Sequence, residues 1–164
     1  MLQAEHEYRH CIGIYGRDDY SYQSLAQLYL DWAKRVKSED ESSDYITKCE
    51  EVISEGLRVI REREALWVVS ADVQKWLGNE PSRIAKLKKA VAESPTSVIP
   101  RYLLGRAYRR EGLAKMCIDV LDPVVKSKFD EVRSFVQYAR AMLDLSEPYG
   151  KCAAVLSQCE TDGI

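Results

Sequence analysis

Apolar residues recur along this chain at the spacing of a helix face. Tyr22, Leu25, Ala26 and Tyr29 stand at i, i+3, i+4 and i+7, and so do Tyr8, Cys11, Ile12 and Tyr15. That spacing puts four side chains on one side of an α-helix. Turn-forming and polar clusters separate the periodic stretches. The pattern predicts helices over 20–36, 44–63, 65–77, 81–93, 98–111, 114–127, 131–145 and 149–160, hence an all-α chain. Residues 2–15 are ambiguous, with a spacing that admits the second helix of an incomplete earlier repeat. Pro123 falls inside the sixth helix and is expected to bend or end it, because it removes a backbone donor.

The periodic blocks themselves recur every 34 residues. Stepping by that interval gives Trp67, Arg101 and Phe135; Ala71, Gly105 and Ala139; Gly78, Gly112 and Ser146; Leu87, Leu121 and Val155. Each series keeps its character except at Arg101. Two antiparallel helices approach closely only where one offers a small side chain, which accounts for Ala71, Gly105 and Ala139. A helix that must stop before the chain turns back favours Gly, which tolerates the left-handed conformation at the stop. Pro81 and Pro148 follow the turns, where a missing N–H is no loss, and Pro95 closes a second helix.

Two stretches in this register, Trp67-x3-Ala71-x6-Gly78-x8-Leu87-x2-Ala90-x4-Pro95 and Leu104-Gly105-x2-Tyr108-x3-Gly112-x4-Cys117-x3-Leu121, resemble the tetratricopeptide repeat (TPR) unit. The resemblance covers the chain from about residue 19 onward. It implies antiparallel helical hairpins stacked into a right-handed superhelix, an α-solenoid. The expected divisions are an N-terminal segment 1–18, a repeat over 19–63, units over 64–97 and 98–131, and a degenerate unit over 132–164. From Ala26 to Ala71 is 45 residues, 11 more than one period, and the excess is expected as an insertion at about 37–43, a polar stretch. Arg83 and Lys151 stand where a small residue is expected early in a second helix.

The chain has 164 residues, 46% hydrophobic and 30% charged, an ordinary globular balance. No apolar run approaches the roughly 20 residues of a membrane span, and Met1 to Glu7 shows no secretory signal pattern. Five widely spaced cysteines, Cys11, Cys49, Cys117, Cys152 and Cys159, read as reduced, mostly buried thiols of a cytoplasmic protein. The net charge of −2 argues against a nucleic-acid partner. Charge is nevertheless uneven: residues 98–142 hold nine Lys/Arg against five Asp/Glu, and residues 37–64 hold five against nine.

No catalytic constellation appears, so no enzyme activity and no cofactor are expected. Gly13-Ile14-Tyr15-Gly16 lacks the spacing of a phosphate loop, no G-x-S-x-G elbow occurs, and the chain has two histidines. His6 and His10 share a helix face but lack further ligands, so no metal site is read.

The TPR resemblance implies that the first helix of each repeat lines an inner groove where ligands lie. Carried over by register, the lining is Tyr20, Gln23, Gln27 and Leu30, then Val68, Asp72, Lys75 and Trp76, then Tyr102, Arg106, Arg109 and Arg110, then Arg133, Val136 and Arg140. Arg and aromatic side chains are common anchors of interfaces, and the Arg fork suits carboxylates. The expected function is a protein-interaction module taking a peptide or partner helix, acidic if the basic half of the groove is used. The positions of the clamp by which some TPR domains grip chaperone tails carry Gln23, Gln27, Val69, Ile99 and Leu103, or one repeat later Val68, Asp72, Leu103, Arg133 and Gln137, and neither set supplies that clamp. The alternative is a structural segment of a larger multidomain or self-associating solenoid, because Cys152, Ala153, Val155 and Leu156 would form an uncapped last helix. No membrane partner is expected, and a homo-oligomer stays open.

Overall fold

The computed structural model describes residues 2–127 and 132–158, so Lys128, Asp130, Glu131 and Cys159 lie outside the described residues. Every regular element among those described is a helix. One compact unit ends at Ser94 and a second begins at Pro95. The first holds α1 (Leu2–Tyr15), α2 (Asp19–Arg35), α3 (Glu39–Val59), α4 (Glu64–Trp76) and α5 (Glu80–Glu93). The second holds α6 (Val98–Arg110), α7 (Ala114–Lys126), α8 (Val132–Asp144) and α9 (Tyr149–Ser157). Packing is strongest within consecutive pairs, α2 with α3, α4 with α5 and α6 with α7, which makes them helical hairpins.

The turns repeat to the residue. Gly78, Gly112 and Ser146 have φ of 71°, 73° and 60°, the left-handed conformation that ends a helix. After each, a backbone N–H reaches five residues back: Asn79 to Gln74 at 2.9 Å, Leu113 to Tyr108 at 2.9 Å, Glu147 to Met142 at 3.0 Å. These are three Schellman closures in one 34-residue register. Nothing lies within 4 Å of a Cβ built on Gly78 or Gly112, so backbone conformation alone selects glycine there. The small column also performs as expected. A Cβ on Gly105 would sit 2.9 Å from Leu121 of α7, so α6 and α7 touch where side-chain volume vanishes.

Most of the expected insertion at 37–43 is helix instead. Residues 39–43 open α3, and only three residues, Val36, Lys37 and Ser38, separate it from α2. The 11 extra residues lengthen both helices: α2 has 17 residues where α4 has 13, and α3 has 21 where α5 has 14. Ser38 caps the new start, accepting a hydrogen bond from the Glu41 N–H at 3.4 Å. The added turns carry their own small core. The Trp32 ring meets Tyr45 edge-on at 5.4 Å and Tyr29 edge-on at 5.7 Å, and Ser42 Oγ donates to the Ala33 carbonyl at 3.0 Å.

Around this hairpin lies the core of the first unit: Leu25, Ala26, Tyr29, Leu30, Cys49, Val52, Ile53 and Leu66 among others. Gly56 of α3 admits α4, since a Cβ there would meet Leu66 Cδ1 at 2.5 Å. The ambiguous N-terminal stretch is α1, packed on α2. It is latched by Tyr29, whose hydroxyl donates to Glu5 at 2.5 Å and accepts from Arg9 at 2.8 Å. Pro123 does not end its helix, for α7 continues to Lys126. Arg83, at the position expected to be small, is 2% exposed, its guanidinium bonded to Glu80 at 2.6 Å.

Candidate functional site

In the second unit α6 and α8 pack side by side. Arg133, at the start of α8, lies over the ring of Tyr102, near the start of α6, with 5.3 Å to the ring centroid. Asp144, at the end of α8, pairs with Arg109, near the end of α6, at 2.9 Å. The two helices therefore run parallel. Between these two contacts lie Arg106 on α6 and Val136 and Arg140 on α8.

The electrostatics divide the basic residues into two groups. Arg109 is neutralised by Asp144, so it holds α6 to α8. Arg106, Arg110 and Arg140 have no carboxylate partner among the described residues. Arg110 and Arg140 are exposed and Arg106 is half-buried. A guanidinium keeps its charge at any ordinary pH, and its two parallel N–H donors match the two oxygens of a carboxylate. Tyr102, half-buried under Arg133, supplies a flat apolar floor. Beneath this face, α8 is held to α7 by the Tyr138 hydroxyl, which donates to Asp122 at 3.4 Å. Burial, then Asp122, raises the pKa of Tyr138, and burial pushes the Cys117 thiol up to about 11. These groups stay protonated and inert near neutral pH.

The residues expected in the first unit lie on α2 and α4, which also pack together. Tyr20 and Trp76 are exposed, at 66% and 48%. Gln23 and Lys75 are exposed, and Val68 and Asp72 are half-buried. Gln27 donates to Asp31 of its own helix at 2.8 Å. Leu30 is a correction: it is fully buried in the core of the first unit and lines no surface.

Sequence reasoning missed Asp144 as the partner of Arg109, and it missed a second concave feature. Val136, Ala139, Arg140 and Leu143 of α8 face Tyr149, Cys152, Ala153 and Leu156 of α9 across an open trough of about 450 Å³. Both sets read i, i+3, i+4, i+7, a signal that was available in the sequence. Among the described residues, no group of three or more His, Cys, Asp or Glu converges as a metal site, and no helix is long and apolar enough to cross a membrane.

No protein-family model matches this sequence, and no curated protein matches it by sequence. Solved structures do match. MamA superposes with a TM-score of 0.68 at 12% identity, over 95% of this chain and 84% of that one. A thermophilic TPR protein of Thermus thermophilus, TTC0263, gives 0.62 at 17% identity, over 94% and 70%. Nearly identical TPR-like repeats from Podosopora anserina give 0.56 at 17% identity, over 97% and 93%. With the three turn closures in one 34-residue register, these likenesses identify the fold: the chain is built of the helical hairpins of tetratricopeptide-repeat proteins.

Proposed function

We propose that the chain is a non-catalytic protein-interaction module whose α6–α8 face holds an acidic peptide segment. The observation that supports this reading is the pairing pattern. Of the arginines on that face, Arg109 is bound to Asp144, whereas Arg106 and Arg140 flank the same stretch without a carboxylate among the described residues. Two such forks on parallel helices offer a peptide two carboxylate anchors, with the Tyr102 ring under Arg133 beside them. The occupant is a protein segment rather than nucleic acid or membrane, because the whole chain carries a net charge of −2. The buried, unpaired thiols Cys49, Cys117 and Cys152 suit a reducing compartment, and we place the protein in the cytoplasm.

The test is charge reversal. A partner captured by the native chain is expected to be lost by the Arg106→Glu, Arg140→Glu double variant. Calorimetric titration with the partner's acidic segment should weaken at least about tenfold on reversal, and should weaken for the native chain as salt rises. Capture indifferent to the reversal removes the α6–α8 face as the site.

A further inference from the structure

In the first unit, α3, α4 and α5 line an open pocket of about 410 Å³, within the size range of small-molecule sites. Its walls are of two kinds. Ile53 and Leu57 of α3 and the Trp67 ring of α4 give it an apolar side, and Ser70 of α4 and Lys86 of α5 give it donors. These donors are unanswered. Ser70 is 7% exposed, and its hydroxyl makes no hydrogen bond among the described residues. The Trp67 indole N–H is buried without an acceptor. Lys86 and Lys89 place their ammonium groups 5.4 and 4.4 Å from the centroid of the Trp67 ring. Neither pairs with a carboxylate among the described residues.

The hairpin itself does not require this set. One repeat later, positions 67, 70 and 86 become Arg101, Leu104 and Val120. There the guanidinium is satisfied by backbone, donating to the Pro95 carbonyl at 2.7 Å and the Val120 carbonyl at 3.2 Å, and neither a hydroxyl nor an ammonium occupies the other two positions. Buried donors without acceptors are costly, so a set of them around one pocket calls for an acceptor.

We infer that the α3–α4–α5 pocket binds a small-molecule carboxylate with a short apolar body. A carboxylate is acceptor only. Its oxygens answer the Ser70 hydroxyl and the Lys86 ammonium, the second a charge-assisted bond, while the apolar body lies along Ile53, Leu57 and the Trp67 ring. Charge selects a monoanion over a phosphate ester. Lys86 and Lys89 supply two positive charges, and Glu50, in the same lining and bonded by Gln74 at 3.4 Å, supplies one negative. One positive charge is left to neutralise, and a dianion would face Glu50 at its own expense. The site lies wholly in the first unit, so it stands or falls apart from the α6–α8 face.

The test is proton–nitrogen correlation NMR of the full chain, with the Trp67 indole peak assigned by its loss in Trp67→Phe while the other two indole peaks stay in place. Straight-chain carboxylates from butanoate to octanoate are titrated beside hexanamide and inorganic phosphate. At least one carboxylate is expected to move the Trp67 peak saturably and to bind at least about tenfold tighter than hexanamide or phosphate. Lys86→Gln and Ser70→Ala are each expected to weaken it at least about fivefold with the circular-dichroism melt unchanged, and Arg106→Glu is expected to leave it intact. No saturable shift at any chain length, equal binding of hexanamide or phosphate, or binding unchanged by Lys86→Gln overturns the proposal. Equal or tighter binding of N-acetylglutamate methylamide also overturns it, assigning the pocket to an acidic side chain of a partner protein.

Discussion

The α2–α3 and α8–α9 hairpins differ less in how apolar they are than in what lies beside them. The first is covered from both sides, by α1 through the Glu5–Tyr29–Arg9 contact and by α4 through Leu66 against Gly56. In the last, α8 packs against α6 and α7. In α2 eight residues are buried, five of them large and apolar or aromatic, whereas α9 buries only Cys152. An amphipathic hairpin has two faces to cover, and its second face is core or surface according to its next neighbour.

The largest expected effect breaks the covered hairpin. Leu66→Ala should cost about 3 kcal/mol in urea unfolding, because it opens a cavity against Gly56. Leu156→Ala on α9 should stay within about 0.5 kcal/mol. Equal costs would show that the two hairpins are equally covered.

Alkali sharpens the same comparison. Burial, then the bond to Glu55, pushes Tyr22 up to about 12. Burial, then the bond to Glu5, pushes Tyr29 up to about 12. Burial pushes the Cys49 thiol up to about 12. The unfolded chain releases these protons first, near pH 9 to 10, so the stabilisation is whole below that range and is lost as pH climbs towards 12. Trp32, Trp67 and Trp76 all lie in the first unit, so their emission reports its unfolding there. The Tyr22→Phe, Tyr29→Phe double variant should show a shallower loss. A loss as steep as that of the native chain would place the alkaline weakness elsewhere.

The smallest effects concern the turns. Ser146 holds φ of 60° without being glycine, so Ser146→Gly should gain about 0.5–1 kcal/mol and Gly112→Ala should lose about 1 kcal/mol, both read from melting temperature. A neutral Ser146→Gly would mean that the last hairpin tolerates its turn without strain.

The repeat register was legible because its markers are steric absolutes. A left-handed turn needs Gly, or a strained Ser, and a close helix contact needs Ala or Gly. Polarity alone does not separate an insertion from the exposed first turn of a helix, and the stretch 37–43 shows why. Its Ser38-x-x-Glu41 spacing is a helix-start signature, and the structure uses it as one. Leu30 was misplaced because a groove register carried over from shorter repeats does not foresee how closely α1, α3 and α4 surround the longer α2. Of the candidate site, the basic character of α6 and α8 was readable. The pairing of Arg109 with Asp144 was not, since it joins positions 35 apart on two helices.

The lengthening of α2 and α3 has a geometric consequence. At about 3.6 residues per turn, four extra residues are close to one full revolution and seven are close to two. The α2–α3 hairpin thus grew by near-whole revolutions and returned its apolar stripe to the same azimuth, while its three-residue connection matched those of the α4–α5 and α6–α7 hairpins. Growth in such hairpins is quantised by phase. Insertions of three, four, seven or eleven residues keep the stripe aimed at its neighbour, whereas two or five would swing the distal end of the hairpin toward water.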